Sequence, residues 1–308
     1  MLSIFLNAVL PVFAAVVLGY VFGWMKLFSK SESIIINKTV FYVFLPALLF
    51  KLVAQAPFDK FEYLYVVGYI LAEVLVYGVT FVVAYKGFGR CVRESLLLGM
   101  GAAFCNHTFF ILPIAEVLYG HDATLPVISV IVIDNLLVLG GTVLALELMS
   151  KNGNGSPFHN LCATFYTNPN IMALVLGLMV NLAGISTDNG IGIYADFLGS
   201  AAAPASLFAL GLVLSTQQLN VASPLVWGVT ALKLAVVPAM GWVLFELAFS
   251  LPPFWVGPGV LVAAGPSGVL AFVIGVQYKV PEELLAQVIL MTTFFSVITV
   301  TAVAALTV

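Results

Sequence analysis

Charge is scarce in this chain. Of 308 residues, 11 are Lys or Arg and 14 are Asp or Glu, together 8%, against roughly 25% in soluble domains. A water-soluble protein of this length could not cover its surface with so few charges, so lipid must cover it instead. Histidine is rare too, with three in all, and no His-Glu-x-x-His pair occurs. Gly-x-Ser-x-Gly is missing, as are paired aspartates on neighbouring apolar runs. These absences argue against hydrolytic enzymes, and no catalytic residue is expected. The three cysteines, Cys91, Cys105 and Cys162, lack metal-ligand or disulfide spacing and read as small buried thiols. Neither a metal, a cofactor nor a nucleic-acid partner is expected. No short Lys/Arg-flanked apolar segment with a small-residue cleavage site opens the chain. The first apolar run, 2–24, is long enough to span and is expected to be retained.

What is abundant is apolar surface: 62% of residues are hydrophobic, and mean hydropathy is +1.13. A crossing needs about 20 mostly apolar residues. Such runs fall at 3–24, 33–54, 62–85, 94–119, 123–147, 168–186, 191–215, 223–249, 256–278 and 284–306. The reading is an all-α integral membrane protein of ten spans. Links are short and leave no room for a soluble catalytic or sensor domain. The longest polar link, "SKNGNGSPFHN" at 150–160, divides the chain near its middle. Residues 1–149 and 168–308 then hold five spans each, joined by a linker at 150–167.

Orientation follows from the short loops. Lys26, Lys30, Lys86, Arg90, Arg93, Lys151 and Lys279 lie on one side, and Lys60 alone lies on the other. Both termini are therefore expected outside the cytoplasm, with the linker inside, in a cell membrane. The halves also resemble one another. "PALLFKL" (46–52) and "PASLFAL" (204–210) agree at five of seven positions, 158 residues apart. Because five is odd, the second half must insert inverted. At the same offset Pro113 lands on Ala271, beside "GPSG" at 265–268. Inverted repeats with helices interrupted at corresponding positions point to a transporter's midplane site.

The first interruption lies in "NHTFFILP", 106–113. Proline lacks an N–H and its ring clashes with the carbonyl of Phe109, so a break is expected at Pro113. Such a break survives only where protein or a wet cavity receives the freed groups. The half-helix beyond it presents N–H donors and partial positive charge, an anion site made of backbone. Asn106, His107 and Thr108 stand beside it; Gly265, Pro266, Ser267 and Gly268 would open span 9 in the same way. A simple proline kink, with its polar residues bonded back to the helix, is the plainer alternative.

These residues carry a resemblance. "LPVFAAVVLGYVFGWMKLFSKSESIIINKTVFYVFLPALLF" (10–50), "NHTFFILPIAEVLYG" (106–120), "AAAPASLFALGL" (201–212), "LKLAVVP" (232–238) and "AAGPSGVLAFVIGVQY" (263–278) resemble the auxin efflux carrier family. That family comprises bacterial permeases related to the plant PIN-formed carriers and, more distantly, to bile acid/sodium symporters. The resemblance covers essentially the whole chain. It implies two inverted five-helix repeats crossing at spans 4 and 9, and a scaffold of spans 1, 2, 6 and 7. It implies a transport domain of spans 3–5 and 8–10 that moves elevator-fashion, commonly in a homodimer, for malate, malonate or similar carboxylates. The plant carriers' second crossover proline is replaced by Ala271, which shifts the span 9 break toward Gly265–Gly268. The short mid-chain loop likewise fits a bacterial permease better than a plant auxin exporter.

Ionisable residues within spans are functional hypotheses in their own right. Glu73 and Lys233 occupy nearly corresponding positions of the two halves. They read either as an ion pair that stiffens the transport domain or, for Glu73, as a proton-coupling carboxylate. Asp134 is the second candidate for proton or cation binding, so proton and sodium coupling both stay open. Lys51 is expected to snorkel toward the outer interface, and Glu147 and Glu246 to reach headgroups. The leading functional reading is a secondary carrier of a small organic anion. A coupled symporter for a larger organic anion, a passive anion channel and a membrane receptor are the alternatives.

Overall fold

The computed structural model describes residues 2–120, 124–149, 166–216, 223–281 and 283–308. The expected linker thus lies outside the described residues over 150–165, together with Cys162. In hydrocarbon every backbone N–H and C=O needs an internal partner, and a helix supplies one for all but its ends. The described chain is accordingly helical, with one isolated antiparallel bridge.

Among the described residues, twelve helices carry the architecture: α1 (Leu2–Trp24), α2 (Ser31–Ala54), α3 (Tyr63–Gly87), α4 (Val92–Ala103), α5 (His107–Tyr119), α6 (Thr124–Leu148), α7 (Pro169–Leu182), α8 (Gly190–Leu214), α9 (Pro224–Ala248), α10 (Pro253–Ala263), α11 (Leu270–Gln277) and α12 (Glu283–Thr307). Seven of them, α1, α2, α3, α6, α8, α9 and α12, are long and apolar enough to cross a membrane. Local sequence explains several starts. Ser29 and Glu32 form a capping box ahead of α2, while Asn168, Asn189 and Ser223 cap α7, α8 and α9.

Two of the expected spans, the fourth and the ninth, are each two helices. The run expected at 94–119 becomes α4 and α5, separated by extended backbone at 104–106. The run at 256–278 becomes α10 and α11, separated at 264–269. Pro113, expected at the first break, is not there. It sits in the first turn of the α-helical stretch Leu112–Tyr119, directly after a wider π-type turn at His107–Ile111. There the Leu112 N–H donates to the His107 carbonyl five residues back, and a turn widened in this way absorbs a proline without ending the helix. The second break lies at Gly265–Gly268, as the substitution by Ala271 implied.

The chain forms two compact units. One gathers Met1–Val9, Glu62–Gly153 and Gln217–Val308, and the other Leu10–Phe61 and Asn154–Thr216. In the first, Tyr65 is fully buried with its ring 4.9 Å from both Phe245 and Trp255, so aromatic packing ties α3 to α9 and α10. In the second, small residues bring backbones together. Gly211 of α8 lies against the Val16 carbonyl of α1, and Gly177 of α7 faces the Phe50 carbonyl of α2. Close approach of this kind supplies van der Waals contact where lipid removes the hydrophobic drive between helices. Lys51 pairs with Asp196 inside this unit rather than reaching out alone.

Candidate functional site at the two helix breaks

The two interruptions meet within the first unit. Their extended stretches run antiparallel, with Cys105 opposite Ser267. The Asn106 N–H donates to the Pro266 carbonyl (2.8 Å), and the Gly268 N–H donates to the Phe104 carbonyl (2.9 Å). Each break thus satisfies backbone groups of the other, which is how irregular backbone survives in a membrane protein's interior. Two glycines permit the approach. A Cβ on Gly265 would meet Cys105 Sγ at 2.5 Å and Ile111 Cγ1 at 2.7 Å, and one on Gly268 would strike the Phe104 ring. The Cys105 thiol donates to the Val262 carbonyl at 3.1 Å.

Charged side chains hold the first break from either end. α4 stops at Ala103 with its last carbonyls unpaired, and Lys233 of α9 donates its ammonium to the Ala103 carbonyl at 2.8 Å. Across the gap, Asp134 Oδ2 of α6 accepts from the Cys105 N–H (3.4 Å) and from His107 Nε2 (3.0 Å). His107 Nδ1 pairs with the Thr108 hydroxyl at 3.1 Å. A cation at a helix C-terminus and an anion at a helix N-terminus are the placements the helix dipole favours. The second break is held by neutral groups of α12: Thr292 Oγ1 accepts the Ser267 N–H (3.1 Å), and the Thr299 hydroxyl donates to the Ala264 carbonyl (3.3 Å).

Placing the expected residues on this geometry gives a mixed result. Asn106, His107, Thr108, Pro266, Ser267 and Gly268 come together at the crossing, and Gly265 packs under it. Pro113 lies beyond it. Asn106, 7% exposed, occupies the N-cap of α5 without its side chain capping the helix, and Ser267 Oγ is buried with no partner among the described residues. Glu73 and Lys233 do not form a direct ion pair: the lysine goes to the Ala103 carbonyl exposed by the break, while Glu73 neighbours Asp134, and Glu73 Oε1 and Asp134 Oδ1 are buried without a hydrogen-bond partner among the described residues. Thr292, Thr299 and Cys105 escaped sequence reasoning, because hydroxyls and thiols in spans usually bond back to their own helix. Cys91, expected to be buried, is exposed. Glu147 accepts from the Tyr278 hydroxyl at 2.5 Å, so this carboxylate has a protein partner near the end of α6.

Together, two helix N-termini and neutral polar side chains lie at one buried crossing, a setting that can receive an anion. The model of the family described as "Membrane transport protein" matches residues 4–160 and 161–304, nearly the whole chain. The protein belongs to this family, that of the auxin efflux carriers. Among its relatives, a "Putative malonate transporter" of Rhizobium meliloti (strain 1021) is 27% identical over 299 residues, 95% of this chain and 92% of the relative. An "Uncharacterized transporter" of Methanothermobacter thermautotrophicus is also 27% identical, covering 95% of both chains. The "Uncharacterized transporter YfdV" of Escherichia coli (strain K12) is 24% identical, covering 91% and 90%. This auxin efflux carrier family member is thus a multi-pass membrane transporter.

Proposed function

We propose that the protein is a secondary-active carrier of a small organic anion, a malonate- or malate-like carboxylate, bound at the crossing of the two breaks. The observation that carries this reading is the antiparallel pairing of 104–106 with 266–268, which gathers two helix N-termini at one buried spot. Asn106 and Ser267 are the side chains best placed to complete the carboxylate's hydrogen bonds. The relative named for malonate supports a carboxylate cargo. The transporter family and its transporter relatives support transport as the task.

The fuller architecture belongs to the same proposal: ten crossings, in two inverted repeats of five. A two-fold relating the halves would pass through the bridge from 105 to 267, an offset of 162 residues rather than 158. Gly275, not Ala271, would then correspond to Pro113. The unit that carries the breaks is the transport domain, and its movement relative to the other unit gives alternating access. Reconstituted protein in liposomes tests the reading. Preloaded unlabelled malonate is expected to accelerate uptake of labelled malonate, with saturation. Unsaturating conductance without counterflow would instead make the protein a channel.

A further inference from the structure

Buried charge around the first break does not balance. Glu73 and Asp134 contribute one negative charge each when ionised, and Lys233 is the ammonium that faces them; all three are 0–3% exposed. The titratable groups gathered here are Glu73, Tyr65 and Tyr69 of α3, Cys105 and His107 at the break, Asp134 of α6 and Lys233 of α9. Two ionised carboxylates against one ammonium leave a net negative charge in a low-dielectric interior, where an uncompensated ion is prohibitive. One more positive charge is required. Two observations say where it goes. Glu73 Oε1 and Asp134 Oδ1 are both buried without a hydrogen-bond partner among the described residues, and a proton shared between the neighbouring carboxyls would give each of them one. Asp134 Oδ2 also meets His107 Nε2 at 3.0 Å.

We propose that Glu73 and Asp134 form a proton site that loads together with the anion, making the protein a proton–anion symporter with one proton per cargo. The inference rests on the carrier reading above. Its physical link is short. Asp134 Oδ2 accepts from the Cys105 N–H and His107, at the first turn of α5, where the cargo's carboxylate is received. A full charge on both carboxyls repels an anion there; one proton, bound to either carboxyl and hydrogen-bonded to the other, removes that repulsion. By linkage the anion raises the affinity for the proton by the same factor. A cleft of about 380 Å³ between α3 and α6 reaches Glu73. Exposed Val74 and Leu137 line it, and the hydroxyls of Tyr77 and Thr142 lie along it.

Two readouts test this. In malonate-loaded and empty liposomes, with membrane potential clamped at zero, counterflow reports the carrier and a pH gradient reports the coupling. An outside more acid by one unit is expected to drive about tenfold accumulation, the ratio equivalent to 1.4 kcal/mol. In Glu73→Gln and Asp134→Asn the accumulation ratio falls tenfold, to one, whatever their counterflow rate. Wild-type counterflow without pH-driven accumulation overturns the proton and spares the carrier. Accumulation driven by a sodium gradient instead assigns the missing charge to a cation and also overturns it. Infrared spectra of purified protein need no cargo. A protonated-carboxyl band is expected at neutral pH in wild type and lost in either variant; its persistence in both, or its absence from wild type, refutes the shared proton even if malonate is not carried.

Discussion

Replacing Lys233 by methionine isolates what holds the first break together. The ammonium is fully buried and makes a 2.8 Å bond to the Ala103 carbonyl, while the Glu73–Asp134 pair lies close enough to feel its charge. Methionine keeps most of the volume and removes both interactions. A hydrogen bond from a charged donor contributes about 1.5–3 kcal/mol, and stripping one partner from a buried charge cluster costs about 3–5 kcal/mol in all. At roughly 2–4 °C per kcal/mol for a unit of this size, Lys233→Met is expected to lower the melting temperature by about 10 °C. A second variant separates the contributions. Lys233→Met with Glu73→Gln and Asp134→Asn removes the remaining negative charge along with the ammonium and should recover the electrostatic share. It leaves the Ala103 carbonyl unpaired, so a loss of about 1.5–3 kcal/mol remains. Thermal unfolding in detergent, followed by intrinsic fluorescence, measures both. A single mutant within about 1 kcal/mol of wild type, or a triple mutant no better than the single, would refute this account of Lys233.

Other consequences can be checked independently. Asn106→Ala removes one charge-assisted hydrogen bond to the anion, so affinity for carboxylate should fall about ten- to a hundredfold, and Asn106→Asp should all but stop uptake near neutral pH; unchanged saturation curves in both would move the site elsewhere. Gly268→Ala drives a Cβ into the Phe104 ring and should destabilise the crossing by about 1–3 kcal/mol, whereas Ala271→Pro, in the first turn of α11, should be tolerated within about 1 kcal/mol; equal melting temperatures for the two would contradict the geometry. In a background without native cysteines, reagent added outside should label Asp59→Cys and Asp188→Cys but not Ser31→Cys or Asn154→Cys, and the reverse pattern would remove the basis for an inverted repeat.

Much of the helical framework was legible because lipid imposes one rule, a long apolar run, on every crossing. The break in span 9 was legible too, since Gly265, Pro266 and Gly268 advertise it in residue type. Span 4 misled in a specific way. Its visible proline, Pro113, is absorbed by a π-type turn, while the actual break at Phe104, Cys105 and Asn106 contains neither glycine nor proline. That break is tertiary in origin, enforced by Pro266 and Gly268 from across the crossing and by Lys233 and Asp134 from neighbouring helices. The buried charged residues stood out in the sequence, but not their partners. Repeat arithmetic set Glu73 against Lys233, whereas the lysine's acceptor is a main-chain carbonyl. Such a partner exists only once a helix has ended, and no residue code records it.

A crossing tied by main-chain amides and carbonyls also bears on how such proteins change over time. The two bonds that join the breaks, from Asn106 to Pro266 and from Gly268 to Phe104, involve no side-chain atom. Residues at those positions can therefore be exchanged within steric limits without untying the junction itself. Architecture and selectivity become separable properties. Relatives that agree at only 24–27% of positions can keep one junction while a few substitutions around it retune which solute is accepted, and a new selectivity need not pass through an unfolded ancestor.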